Sequence, residues 1–140
     1  MRVEKTVLLK ADPSAVWNAL TDPELTSQYF FGCEAISEWK VGSPLHYQAV
    51  TEGQATVLVK GVIQALEPNR YLEATCVAAG CEDIPGTETV VTYSLTEGTD
   101  GTTLHVTQGE YEDEESSKPT ADSWDHVLAG LKKLVEGPAD

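Results

Sequence analysis

From Val3 to Lys10 the chain alternates: Val3, Lys5, Val7 and Leu9 fall on one side, and Glu4, Thr6, Leu8 and Lys10 on the other. That period predicts a strand with one mostly apolar face. Asp12-Pro13 then supplies a helix cap and a first-turn proline, which predicts a short helix to about Leu20. Asp22-Pro23-Glu24-Leu25 repeats the signal, and the residue before a proline avoids the α region, so two short helices meet at a bend. The period of two then returns. Cys33 to Trp39 and Pro44 to Val50 are predicted strands around the turn Lys40-Val41-Gly42-Ser43. After a turn at Gly53-Gln54, Ala55 to Leu66 is a long strand whose Ala55, Val57, Val59, Gly61, Ile63 and Ala65 form one apolar or small face. Tyr71 to Val77 carries Leu72, Ala74 and Cys76 on one side, Thr87 to Leu95 carries Val91, Tyr93 and Leu95, and Thr102 to Glu110 carries Leu104 and Val106. Glu67-Pro68-Asn69-Arg70 and Glu97 to Gly101 are the turns between them. The acidic stretch Glu110 to Glu115 is expected to be a solvated loop. A helix then starts near Pro119 or Thr120. Its Trp124, Val127, Leu128, Leu131, Leu134 and Val135 make one stripe at spacings of three and four, with Asp125, Lys132, Lys133 and Glu136 opposite.

A strand, two short helices, about six antiparallel strands and one long helix describe an α+β domain. Such a sheet has one apolar face to cover, and the long helix is the element available to cover it. The expected architecture is a curved antiparallel sheet of six or seven strands wrapped around the C-terminal helix. The 140 residues suit a single domain, 1–140.

The formal charge of −14 argues against nucleic acid and anionic membrane surfaces as partners, since both need clustered cations. No apolar run approaches the ~20 residues of a membrane helix. The first residues lack the apolar core of a signal peptide, so a cytoplasmic location is expected. Cys33, Cys76 and Cys81 are odd in number and form no CxxC, which fits free thiols in a reducing compartment. Cys33 and Cys76 are read as small core residues and Cys81 as exposed.

Catalytic signals are sparse. His46, His105 and His126 lack metal-ligand spacing, and no phosphate loop, dinucleotide fingerprint or nucleophile elbow occurs. Glu73 and Glu110 are simplest as surface residues. No metal, cofactor or catalytic residue is expected. The aromatic residues Trp17, Phe30, Trp39, Tyr47, Tyr93 and Trp124 fall on or near inward faces, where they can pack a core or line a pocket.

Several segments resemble the START-like (SRPBCC) superfamily, and within it homologues of the C-terminal domain of the heat-shock protein 90 ATPase activator. They are Ala11-Asp12-Pro13-Ser14-Ala15-Val16-Trp17 with Ala19 to Leu25, Lys40-Val41-Gly42, Gly61-Val62-Ile63, Glu67 to Leu72, Val91 to Leu95, Gly101 to Leu104, and Trp124 to Leu128 with Leu131-Lys132. They span nearly the whole chain in the family's order. Tyr29-Phe30-Phe31 stands where the family often has tryptophan, and Gly42-Ser43 where it often has two glycines. The latter implies a modified turn. The resemblance implies the helix-grip fold, and it implies a link to chaperones and the stress response. The family's N-terminal activator domain has no counterpart in these residues.

The leading functional expectation is a non-enzymatic domain that holds an apolar or amphipathic small molecule between sheet and helix. Val57, Val59, Leu72, Ala74, Val91, Tyr93, Leu104 and Val106 would be its floor, and Trp124, Val127, Leu128 and Leu131 its roof. Trp17 and Phe30 would guard a mouth, with Trp39 and Tyr47 on the inner aromatic wall. The resemblance implies two alternatives: a protein-interaction module related to chaperone activators, and a cavity enzyme of the cyclase or hydrolase type.

Overall fold

The computed structural model describes residues 2–81, 88–109, 111 and 113–136. Glu110, and Thr87 at the start of its predicted strand, lie outside them. The elements run β1 (Val3–Leu9), α1 (Pro13–Thr21), α2 (Pro23–Thr26), β2 (Cys33–Ser37), β3 (Pro44–Thr51), β4 (Gln54–Glu67), β5 (Tyr71–Ala78), β6 (Thr89–Gly98), β7 (Gly101–Gly109) and α3 (Glu114–Glu136). The seven strands form one antiparallel sheet in the order β1-β7-β6-β5-β4-β3-β2. Hairpins explain every neighbour except β1, which crosses to the far edge and pairs with β7 from Val3↔Gln108 to Leu9↔Thr102. Register shifts at Tyr47/Gln48 and between Ile63 and Ala65 locally kink β3 and β4. The curved sheet holds α3 in the expected helix-grip arrangement.

The strand parities follow the sequence. Val3 and Leu9 of β1, Leu72 and Ala74 of β5, Val91, Tyr93 and Leu95 of β6, and Leu104 and Val106 of β7 are all buried. They meet Trp124, Val127, Leu128 and Leu131 of α3 in one apolar cluster that also takes in Val16 and Leu20 of α1.

Local chemistry explains the boundaries. Asp22 caps α2 by accepting from the Glu24 amide at 2.9 Å, whereas Asp12 makes no side-chain cap bond at α1. Ser43, where a second glycine was the family habit, closes its turn with its hydroxyl, which donates to the Lys40 carbonyl at 2.7 Å.

Two readings need correction, the start of α3 and the exposure of Cys81. α3 begins at Glu114, five residues before Pro119, because Asp113 already caps it: the Asp113 carboxylate accepts from the Ser116 amide at 2.9 Å. That bond holds the Asp113 carboxyl below its usual range. Pro119 therefore lies inside the helix, where it removes one amide from the ladder. The carbonyl four residues back belongs to exposed Glu115, which water can satisfy. Lys132 and Glu136, off the apolar stripe as expected, tie the end of α3 to the end of β1. Lys132 Nζ pairs with Glu136 at 2.6 Å and donates to the Leu8 carbonyl at 3.3 Å, and Glu136 accepts from the Lys10 amide at 2.9 Å. Cys81, expected to be exposed, is half-buried, while Cys33 is buried and Cys76 half-buried as core residues should be.

Candidate functional site

Between the sheet and the first half of α3 lies a cavity of about 320 Å³. The sheet contributes Leu45 and Tyr47 from β3, Val59, Lys60 and Gly61 from β4, Ala74, Thr75 and Cys76 from β5, Val91 and Tyr93 from β6, and Gln108 from β7. α3 contributes Pro119, Thr120, Ser123, Trp124 and Val127, and the segment before β2 contributes Phe30 and Phe31. Exposed Phe31, Pro119 and Ser123 place its mouth at the start of α3. There Phe31, 55% exposed and in the left-handed region at φ 54°, lays its ring on His126 with centroids 5.1 Å apart.

The inner wall is aromatic. Phe30 stacks on Tyr47 at 4.6 Å and meets Trp124 edge-on at 6.0 Å, and Trp124 meets Tyr93 edge-on at 5.8 Å. Such pairs add about 0.5–1.5 kcal/mol each beyond area burial, so the wall is rigid without being filled. Burial pushes the Tyr47 phenol up to about 12, against a hydrogen bond with Tyr93 that works the other way. Burial and the neighbouring Tyr47 raise Tyr93 as well. Both phenols stay neutral through the physiological range. Burial likewise pushes up the Cys76 thiol, partly offset by a hydrogen bond with Thr89, so the cavity offers a thiol and no thiolate.

A consequence follows for alkaline stability. Tyrosines whose folded pKa exceeds the unfolded value near 10 contribute stability that is whole below pH 10. It is lost as the pH rises toward 12, because only the unfolded chain releases those protons there. Thermal melts across this window are expected to fall steeply for the wild type and less steeply for Tyr47→Phe. Equal slopes would contradict the buried neutral pair.

Of the residues singled out by sequence, Phe30, Tyr47, Val59, Ala74, Val91, Tyr93, Trp124 and Val127 border the cavity. Leu72, Leu104, Val106, Leu128 and Leu131 do not, because they fill the packed layer beside it. Trp17 is buried in α1 away from the mouth, Trp39 packs on the core from the turn after β2, and Val57 lies half-buried near the start of β4. Phe31, Leu45, Lys60, Gly61, Thr75, Cys76, Gln108, Pro119, Thr120 and Ser123 were missed. Leu45 and Gly61 are register partners on inward faces, and Gln108 continues the inward series of Leu104 and Val106. Thr120 and Ser123 lay in the predicted helix but outside its apolar stripe, which alone was read as facing the sheet. His46 and His105 lie outside the lining. His105 instead faces Thr6, at 2.9 Å, on the outer side of β7. Among the described residues no cluster of His, Cys, Asp and Glu could hold a metal ion, and no helix is long and apolar enough to cross a membrane.

The family model described as activator of Hsp90 ATPase homolog 1-like protein matches residues 10–136. A Cytophaga hutchinsonii protein solved in solution is 31% identical, with a TM-score of 0.80 over 97% of this chain and 94% of that one. The Aha1 dimer from Colwellia psychrerythraea superposes with a TM-score of 0.75 at 18% identity, over 97% and 96% of the two chains. CalU16 from Micromonospora echinospora does so with a TM-score of 0.70 at 22% identity, over 96% of this chain and 74% of that one. Both of these likenesses concern the fold alone. No curated protein matches the chain.

Proposed function

The chain belongs to the activator of Hsp90 ATPase homolog 1-like family, and from that premise we propose that it is a small-molecule-binding domain whose ligand, apolar or amphipathic, sits in the cavity beneath α3. The observation that supports this most is an aromatic-walled space of about 320 Å³ in a core whose described buried polar side-chain atoms are all hydrogen-bonded. That volume is at the small end of ligand sites and suits a ligand of modest size. Burial of apolar ligand surface at roughly 25 cal/mol per Å², less the cost of association, drives the affinity.

The lining also supports a binder over a cyclase- or hydrolase-type enzyme. It holds no carboxylate and no imidazole, and burial keeps Tyr47, Tyr93 and Cys76 protonated, so the usual carboxylate or histidine base is lacking among the described lining residues. Titration with the fluorescent apolar probe N-phenyl-1-naphthylamine is expected to saturate and to quench tryptophan emission, and Trp124→Phe is expected to remove most of the quenching. A linear, unsaturable response would overturn the reading.

The family's name and a set of exposed apolar side chains on β2–β4 and their turns favour a second reading, a protein-interaction module acting on a chaperone. Ile36, Val41, Leu58 and Val62 are 39%, 65%, 44% and 44% exposed. On that reading, added protein changes the ATPase rate of a purified chaperone of the 90-kDa class, and Val62→Lys abolishes the change; an unaltered rate removes it.

A further inference from the structure

The indole nitrogen of Trp124 lies 2.8 Å from Gln108 Oε1. An indole N–H can only donate, so the carboxamide oxygen must face it and the carboxamide nitrogen must face away. That nitrogen donates to Thr89 Oγ1 at 3.0 Å and approaches Cys76 Sγ at 3.8 Å. Thr89 donates in turn to the Cys76 carbonyl at 3.3 Å. Donation therefore runs one way, from α3 through β7 and β6 to β5. Each link fixes the polarity of the next, so the Gln108 side chain has one orientation and not two. Trp124 is 5% exposed and supplies the ring that meets both Phe30 and Tyr93.

We propose that Gln108 is the positioning residue of the cavity: by holding the Trp124 indole in one orientation it sets how tightly the site takes an apolar, planar ligand. This deepens the binding reading above and rests on it. The physical reason is that both ends of the carboxamide are consumed by protein partners. The ligand meets a fixed ring and an amide whose N–H donors are already engaged by Thr89 and Cys76, so a ligand acceptor at this end would be desolvated with no partner. With leucine at 108 the indole N–H would be buried without an acceptor, and the ring would turn to find one. Selection at this wall thus comes from ring placement, and hydrogen bonding serves only to hold the ring.

The test uses Gln108→Leu and Thr89→Val, the second leaving Gln108 in place while removing its anchor. The readouts are the Trp124 indole N–H resonance, assigned among the three tryptophans with Trp124→Phe, and the dissociation constant for N-phenyl-1-naphthylamine. Gln108→Leu is expected to move that resonance, speed its exchange with solvent and weaken the probe about ten-fold, which is what a stranded buried donor costs. Thr89→Val is expected to change both in the same direction by less. An unmoved resonance with unchanged probe affinity in both variants overturns the proposal. If the indole responds but the wild type takes up no probe, the binding reading of the cavity is what fails.

Discussion

Replacing Leu131 by alanine is expected to lower the unfolding free energy by about 2–5 kcal/mol. The side chain is fully buried, sits in the packed layer between α3 and the sheet, and does not line the cavity. Removing it forfeits transfer free energy and leaves a void among rigid partners. A domain of this kind has only about 5–15 kcal/mol to lose, so the variant should unfold at markedly lower urea concentration with little change in slope. Val127→Ala is the informative contrast. Val127 is equally buried but borders the existing cavity, so truncation enlarges a space already there. Its expected cost is near 1 kcal/mol, close to the transfer term alone. Equal losses at the two positions would mean that the cavity is not empty space next to Val127.

The second large effect is expected at Gly61. A Cβ added there would lie 1.8 Å from the Thr75 carbonyl oxygen and 2.8 Å from its carbon, both backbone atoms that no rotamer change can move. Between the pairs Lys60↔Val77 and Ile63↔Ala74 the ladder of β4 and β5 is interrupted, and the Val62 amide bonds the Thr75 hydroxyl at 2.9 Å instead. The Thr75 backbone approaches Gly61 too closely for any side chain, and both residues also line the cavity. Gly61→Ala is expected to cost about 2–4 kcal/mol and to abolish probe uptake, because the strands must part at the site. Gly98→Ala serves as the control. Its added Cβ would find its nearest neighbour, the Gly101 carbonyl oxygen, at an ordinary 3.7 Å. It should be neutral or mildly stabilising through the unfolded chain. Equal melting temperatures for the two variants would refute the close approach.

The architecture was legible because alternation and helical spacing are consequences of burial, and burial is what a sheet gripping a helix maximises. Leu104 and Val106 had to face the same way as Tyr93 and Val91 whatever the ligand. The cavity was legible only in part for the same reason. Parity places Leu72 and Ala74 on one face but does not tell which level of that face is filled; the answer depends on how far α3 stands off, which is a property of the whole sheet. Leu72 is in the filled level and Ala74 in the open one. Gln108 escaped notice because a polar residue at an inward position looks like the end of a pattern. Its role depends on Trp124, sixteen residues away, and on Thr89, nineteen away. The start of α3 was misplaced because Pro119 is an ordinary first-turn residue, and the competing cap at Asp113 sits in a run of acids that reads as solvent-loving loop.

The pairing of β1 with β7 also fixes a sequence of events. Val3 is made well before its partner, Gln108. While the chain is being synthesised, β1 has no strand to join until β7 has emerged, so it waits as an apolar segment without a sheet neighbour while β2 to β6 are made. The hairpins β2 through β7 can form in order by local steps, but the long crossover cannot close until the end. Sheet completion is therefore a late, long-range event, and the half-finished molecule carries an open edge at β7 that any extended chain could occupy. The assembly of the sheet is, in time, strongly one-directional.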